Sequence, residues 1–382
     1  MRKFNLLKVT ALAAVLTFAL TGCSTPDTAT TTPDTATTTP DTEAVENVAD
    51  TAGEETDAVD TEAADTAADA ETDTADEAAD AENTADGATV EITDAHGTVT
   101  VPVNPQNVVA LDNRTFETLV DWGIELAAAP KAVMPADLPY VANEAVQDIG
   151  NHREPNLEII AAVEPELVIV GQRFASYYEE IKALVPNAAV IDLNFDVSEE
   201  AATPGENLVN GLKESTITLG QIFDKNAEAE ALVAEFDQAI EDAKAAYNGT
   251  DTIMSVVVSG GEIGFSAPRS GRVWGPMYEI FGWVSALDVD GTTSDHEGDD
   301  ISVEAIAQSN PDWIFVLDRD AATASAEESV PAQDVIDNSP ALQNTTAITE
   351  GHIVYAPNDT YTNESIQTYI ELFGDIAKAL MQ

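Results

Sequence analysis

Short apolar runs alternate with amphipathic segments from residue 88 to the end of the chain. Residues 90–101 alternate apolar and polar positions on either side of 94–97, which predicts a β-hairpin. Helical patterns, such as that of residues 115–122, separate further apolar runs. Those runs predict buried strands at residues 108–111, 167–170, 189–192, 254–258, 314–317 and 353–355. This alternation predicts an α/β fold with mainly parallel sheets.

The stretch over residues 204–247 differs, because its pattern is helical throughout. It lies midway through the folded region, where a connector between two lobes would lie. We therefore predict a first lobe over residues 88–203, a helical connector over 204–247 and a second lobe over 248–382.

An internal repeat supports two related lobes. Residues 157–170 read LEIIAAVEPELVIV and residues 303–316 read VEAIAQSNPDWIFV, at an offset of 146. Each copy predicts a helix that ends at a proline and turns directly into a strand. Arg173 and Arg319 each follow the proline of their repeat by eight residues. Because ligands of open α/β sheets bind beyond the carboxyl ends of the strands, we expect both arginines in one cleft.

The first 23 residues have the pattern of an export signal. They contain three basic residues and no acid, and an apolar run over residues 9–20. That run is shorter than the ~20 residues that a membrane-spanning helix needs. The segment ends in Leu-Thr-Gly-Cys23, which resembles a bacterial lipobox, although an ordinary secretory signal is an alternative. We expect residues 1–22 to be removed and a lipid on Cys23 to anchor the protein to the extracytoplasmic face of the cell membrane.

The segment over residues 23–87 is predicted to be a disordered tether. Residues 24–87 contain 12 Asp, 8 Glu, no base and no aromatic residue. Such a composition buries too little apolar surface to offset the entropy of ordering. A flexible coil of this length spans roughly 40–48 Å.

Charge and composition narrow the function. The chain has 70 acidic and 15 basic residues, a formal net charge of −55, and one cysteine. The negative charge argues against nucleic-acid binding, and a single cysteine rules out disulfides within the chain and cysteine-based zinc sites. Arginines are therefore scarce in the folded region, and most of them follow strands or lie in loops. Converging guanidinium groups would select a compact anion. The arginines are Arg114, Arg153, Arg173, Arg269, Arg272 and Arg319.

Several stretches of the folded region resemble a known protein family. Residues 150–171, followed by Arg173 and a pair of tyrosines, are similar to the first lobe of the substrate-binding lipoproteins of iron–siderophore ABC importers. Residues 266–275 and 310–319 resemble the branch that binds ferric catecholate siderophores. The resemblance implies a class III periplasmic-binding-protein fold, with two Rossmann-like lobes joined by a long rigid helix and little hinge motion. It also implies a monomer that serves an ABC permease and its ATPase.

The resemblance also assigns roles to residues. Arg173, Arg272 and Arg319 match an arginine triad around the ferric complex, although one extra residue precedes Arg173. His296 and Tyr361 match direct ligands of iron for siderophores that leave coordination sites open. Further predicted siderophore contacts are Arg114, Arg153, Arg269, Tyr177, Tyr178 and Trp274. The repeat-related Glu158 and Glu304 match the acids that dock on the permease.

Other functions are weaker alternatives. An enzyme is disfavoured because the sequence has no Gly-x-Ser-x-Gly elbow, phosphate loop or His-Glu-x-x-His motif. The same fold could carry haem or a corrinoid. A zinc or manganese carrier would need clustered histidines, and the four in this chain are scattered. A surface lipoprotein without a transport role is the last alternative.

Overall fold

The structure is a computed structural model that describes residues 87–198, 200–323 and 329–382. The predicted signal, Cys23 and the acidic tether lie outside the described residues. Within them, no helix is long and apolar enough to cross a membrane.

The first lobe is built on a five-stranded parallel sheet. It has the order β5-β4-β3-β6-β7 and is preceded by the antiparallel hairpin β1-β2. The strands are β1 (Thr89–Asp94), β2 (Gly97–Pro102), β3 (Val108–Ala110), β4 (Leu126–Ala129), β5 (Gln147–Asp148), β6 (Leu167–Val170) and β7 (Ala189–Asp192). The helices are α1 (Phe116–Asp121), α2 (Pro139–Ala142), α3 (Leu157–Ala162) and α4 (Tyr178–Leu184), with 3₁₀ turns at Lys131–Val133 and Ala175–Tyr177.

Two helices follow, and both lie in the stretch predicted to be a helical connector. α5 covers Pro204–Ile222 and α6 covers Asn226–Ala246. The chain turns between them at Asp224, which has a positive φ of 53°. A Cβ atom added at Gly220 would lie 2.6 Å from Ala229 Cβ, so the two helices approach closely beside the turn.

α5 joins the cores of both lobes. Its early residue Leu208 packs in a core cluster of the second lobe, whereas Leu219 and Ile222 pack in the first lobe. The second helix, α6, instead packs through Phe236 against Phe373, with ring centroids 5.8 Å apart. α5 therefore connects the two lobes, and α6 packs on the second.

The second lobe repeats the sheet design. Its parallel strands have the order β10-β8-β11-β12, and β9 pairs antiparallel with β8. The strands are β8 (Thr252–Ser259), β9 (Glu262–Phe265), β10 (Val284–Ser285), β11 (Trp313–Asp318) and β12 (Ile353–Tyr355). The helices are α7 (Gly275–Phe281), α8 (Val303–Ser309), α9 (Arg319–Thr323), α10 (Ala332–Asn338), α11 (Thr346–Glu350), α12 (Thr360–Asn363) and α13 (Ile366–Leu380), with a 3₁₀ turn at Leu342–Asn344.

Burial on both sheet faces explains the continuous apolar runs. In β6, Leu167 and Ile169 pack in one core cluster, and Val168 and Val170 pack in another. Successive side chains of a strand point to opposite faces, so a strand covered on both sides needs apolar residues throughout.

The structure confirms the predicted α/β class and the helix-to-strand form of both repeats. α3 leads into β6, and α8 leads into β11. The residue before each repeat proline has a left-handed backbone, with φ of 47° at both Glu164 and Asn310. The two copies therefore share a local backbone geometry as well as a sequence pattern.

The strand β4 was missed by the pattern analysis. Its sequence, Leu-Ala-Ala-Ala, is rich in alanine, which favours helices and is depleted in strands. Hydrogen bonding to its neighbours β3 and β5, which is a tertiary effect, makes this segment a strand.

Candidate functional site

The loop over residues 266–275 carries Arg272 on a tightly folded backbone. A Cβ atom added at Gly271 would lie 2.4 Å from Ser266 Oγ. Val273 is β-branched and has a positive φ of 64°, a strained conformation that persists only where the surroundings impose it. The loop therefore fixes the position from which Arg272 extends.

Arg173 and Arg319 lie beyond the carboxyl ends of equivalent strands. Arg173 follows the end of β6 by three residues, and Arg319 comes directly after β11. The Arg319 Nη1 atom donates to Ser259 Oγ at 2.9 Å and lies 3.7 Å from Glu297 Oε1. Burial, and then the charge of Arg272, lower the pKa of Arg173. Both arginines are therefore at the sheet edge where the sequence predicts a cleft.

The three arginines meet at Tyr361. Arg173 Nη2 and Arg272 Nη2 donate to the Tyr361 carbonyl oxygen at 3.3 and 3.4 Å. The guanidinium carbons of Arg272 and Arg319 lie 4.5 and 5.4 Å from the centroid of the Tyr361 ring. Arg173 belongs to the first lobe and the other two to the second, so the triad assembles across the two lobes.

His296 contacts the same tyrosine. Its Nδ1 atom lies 2.9 Å from the Tyr361 hydroxyl. Burial lowers the pKa of His296, and the charges of Arg272, Arg173 and Arg319 lower it further. The lowered pKa favours the neutral imidazole, which is the form in which histidine binds a metal ion.

A buried acid balances part of this positive charge. Glu364 Oε1 accepts a hydrogen bond from Arg272 Nη2, and Glu364 Oε2 lies 3.7 Å from Arg114 Nη2. Burial alone would raise the pKa of the Glu364 carboxyl. The charges of Arg272, Arg114 and Arg173 outweigh that effect and hold the pKa below its usual value. Glu364 is thus an ionised partner that holds Arg272 in place.

A cavity of about 390 Å³ adjoins the arginines. It lies between the loop after β7, the loop of Arg272 and the segment before α13. Its lining includes Arg272 and His296, which also belong to the group around Tyr361. The cavity and the arginine cluster are therefore continuous.

Hydrogen bonds join the lobes beside this site. They connect the segment over residues 362–367 with the region of α1, and we expect them to restrict hinge motion. The bonds run from Asn113 Nδ2 to the Thr362 carbonyl, from Asn363 Nδ2 and Ser365 Oγ to Glu117 Oε2, from Thr118 Oγ1 to Gln367 Oε1 and from Gln367 Nε2 to Asp121 Oδ2.

Two predicted contact residues lie in the core instead. Tyr178 is 1% exposed, and its ring stacks on His96 with centroids 3.6 Å apart. Trp274 is fully buried, and its ring centroid lies 5.5 Å from that of Phe315. These placements correct the prediction that Tyr178 and Trp274 face a ligand.

Three other predicted residues make no hydrogen bond or ring contact with Tyr361 among the described residues. Arg269 Nη2 donates to the carbonyl oxygens of Ala201 and Ala202 at 2.9 and 3.2 Å, so it ties down the chain that enters α5. Arg153 is exposed, and Tyr177 is half-buried beside Phe174, with ring centroids 6.2 Å apart. The structure gives none of the three a contact with the arginine triad.

Pattern reasoning missed Glu364 and His152. No sequence signal marks Glu364 as buried, although it follows Tyr361 by three residues. His152 Nδ1 is buried and has no hydrogen-bond partner among the described residues. Burial and the charges of Arg173, Arg153 and Arg272 lower the pKa of His152, which places it beside the triad. The sequence signal for His152 is its position in the Gly150-Asn-His-Arg loop, which belongs to the stretch that resembles the siderophore-binding family.

The structure also locates the two predicted docking acids and bears on the alternative of a metal carrier. Glu158 and Glu304 are exposed, each in the first turn of its repeat helix. Within the described ranges, no group of three or more His, Cys, Asp and Glu side chains could hold a metal ion.

Comparison with known protein families shows to which family the chain belongs. The model of the family described as periplasmic binding protein matches residues 108–360, about two thirds of the chain. The chain belongs to the periplasmic binding protein family. This confirms the family predicted from the motifs. Members of this family are extracytoplasmic substrate-binding proteins and in general not enzymes.

Curated relatives of this binding protein include two that are named for siderophores. The petrobactin-binding protein YclQ of Bacillus subtilis is 30% identical over 271 residues, which cover 70% of this chain and 79% of the relative. The ferric-anguibactin-binding protein FatB of Vibrio anguillarum is 28% identical over 74% of this chain and 84% of the relative.

A solved structure shows the same fold. The catecholate-siderophore binding protein VctP of Vibrio cholerae superposes with a TM-score of 0.64 and 24% identity, over 76% of this chain and 99% of that one. The two-lobe architecture predicted for this periplasmic binding protein is thereby confirmed.

Proposed function

We propose that this protein captures a ferric siderophore of the catecholate type between its lobes and delivers it to an ABC importer. The observation that supports this most is the meeting of Arg173, Arg272 and Arg319 at Tyr361. A ferric catecholate is strongly anionic and has flat rings. Guanidinium groups suit it because they stay charged, donate several hydrogen bonds and stack on rings.

His296 and Tyr361 are proposed to bind iron directly when the siderophore leaves two coordination sites open. Their Nδ1 and Oη atoms are 2.9 Å apart. Two donors at right angles on one metal ion, with bonds of roughly 2.0–2.1 Å, are separated by about 2.9 Å. The pair therefore has the spacing of two neighbouring ligands before iron arrives. Phenolate oxygen is a hard donor, and imidazole suits iron.

The relatives named for petrobactin and ferric anguibactin agree with a siderophore ligand. The excess of arginine at Tyr361 favours an anionic ferric complex over the neutral complexes of hydroxamate siderophores.

A fluorescence-quenching titration with a panel of ferric complexes tests this function. We expect submicromolar binding of ferric catecholates and at least tenfold weaker binding of neutral ferric hydroxamates. Haem and cobalamin serve as comparison ligands, and a visible spectrum of the loaded protein identifies what is bound. Tighter binding of haem or cobalamin than of any ferric catecholate would contradict the proposal.

Anchoring and delivery complete the proposed role. We propose that a lipid on Cys23 holds a monomer at the outer face of the cell membrane, and that residues 24–87 tether it there. Mass spectrometry of membrane-extracted protein should find the lipid on an N-terminal Cys23. We further propose that the exposed acids Glu158 and Glu304 dock on the permease, one on each lobe.

A further inference from the structure

The cavity of about 390 Å³ beside the arginine triad has a mixed lining. Arg114, Gln172 and Asn194 contribute polar groups to its wall, whereas Leu208 and Pro276 contribute apolar surface. At about 30 Å³ per water-sized group, the space accommodates an arm of roughly thirteen non-hydrogen atoms. Such a lining fits an aliphatic arm that ends in a polar group better than it fits a bare hydrated ion.

Arg114 lies in this wall and has two hydrogen-bond donors without a partner among the described residues. Its side chain is only 2% exposed, and its guanidinium carbon lies 3.8 Å from the centroid of the Phe195 ring. Its Nε and Nη1 atoms have no hydrogen-bond partner among the residues that the structure describes. A buried guanidinium is costly unless its donors are paired, so these two donors favour an incoming acceptor.

Charges of both signs surround Arg114. Glu364 accepts from Arg272 and lies 3.7 Å from Arg114, so one carboxylate serves two guanidinium groups. Asp112 Oδ1 accepts from the backbone N–H of Arg114 rather than from its guanidinium. Arg173 adds a third positive charge nearby, and Asp196 adds a further carboxyl group to the lining of the cavity.

We propose that this cavity is a carboxylate subsite in which Arg114 and Arg272 bind an acid group. The acid is carried by an arm of the siderophore, an assignment that rests on the proposed function, or by a free organic acid. Because Arg272 and His296 border both spaces, an arm leaving the iron centre between them enters the cavity directly. The subsite would thus select ferric catecholates whose backbone bears a free carboxylate.

A matched pair of ferric complexes tests the subsite. Both use the same bis-catecholamide ligand, and the linker carries a free carboxylate in one and a methyl amide in the other. Charge-assisted hydrogen bonds contribute roughly 1.5–3 kcal/mol, so the wild-type protein should prefer the carboxylate about tenfold to a hundredfold. Arg114→Gln should lose the preference for the carboxylate complex over the amide complex. The exposed Lys244→Gln, which removes the same charge elsewhere, should retain it.

The outcomes distinguish an acid group on the siderophore from a free organic acid. If the preference is lacking, thermal shift with iron-free sodium glutarate shows whether a free acid stabilises the wild type but not Arg114→Gln. A protein with neither response, or a preference that survives in Arg114→Gln, would overturn the subsite. Should Arg114→Gln not fold, Val197→Phe, which fills the cavity and keeps every arginine, must abolish the same response. Failure of both ferric complexes to bind would instead contradict the proposed function.

Discussion

Replacing Arg319 tests the triad with the least disturbance to the fold. Its side chain is 25% exposed, donates to Ser259 and pairs at 3.7 Å with Glu297, which is 68% exposed. Exposed ion pairs contribute about 0–1 kcal/mol, and a hydrogen bond to a charged group contributes roughly 1.5–3 kcal/mol. Because Arg319 is partly exposed, we expect Arg319→Ala to lower the free energy of unfolding by about 1–2 kcal/mol.

The loss in affinity is measured separately from the loss in stability. A hydrogen bond to a charged group contributes roughly 1.5–3 kcal/mol, which corresponds to a tenfold to hundredfold weaker Kd for a ferric catecholate. Arg319→Lys should recover part of this, because an ammonium keeps the charge but lacks the planar fork. Fluorescence-quenching titration measures Kd, and urea denaturation measures stability. Lys244→Ala, an exposed position, is the control.

Arg272 would be a poorer choice. Its removal leaves the buried Glu364 carboxylate without its main partner, and breaking a buried pair costs about 3–5 kcal/mol. A loss of affinity there would mix binding with folding. If Arg319→Ala changed Kd for ferric catecholates by less than about twofold, the idea that the repeat arginines share one ligand would be refuted.

Three further predictions address other groups. Tyr361→Phe should weaken binding of a tetradentate ferric catecholate and remove a phenolate charge-transfer band, while a hexadentate complex changes little; equal losses for both would show that Tyr361 only packs. Glu158→Ala with Glu304→Ala should abolish iron uptake by cells and leave the Kd of the purified protein unchanged, and a weaker Kd would argue against docking. Burial raises the pKa of Asp112 to about 6, so the stability that its proton contributes is present below the unfolded value of 3.8 and is lost as pH rises through about 6. Relative to wild type, Asp112→Asn should therefore gain on the order of 1–2 kcal/mol in unfolding free energy between about pH 4.5 and pH 7.5, measured by urea denaturation, and a pH-independent difference would refute this.

The sequence alone determined the class of fold and the pairing of Arg173 with Arg319. Strands covered on both faces must be apolar throughout, so β6 and β11 are visible as continuous runs. The repeat fixes equivalent positions for the two arginines, because each follows its strand by a short, defined step. The role of Cys23 is likewise a matter of local sequence and stays a prediction.

Tertiary structure alone decided which neighbouring side chains face the site. Arg272 and Trp274 are two residues apart, yet the backbone at Val273 sends one to Tyr361 and the other into the core. The break at Asp224 depends on packing between α5 and α6, which helix propensity does not encode. Glu364 becomes a partner of Arg272 only through the fold. Long-range contacts set burial and charge pairing, and a local pattern carries no record of them.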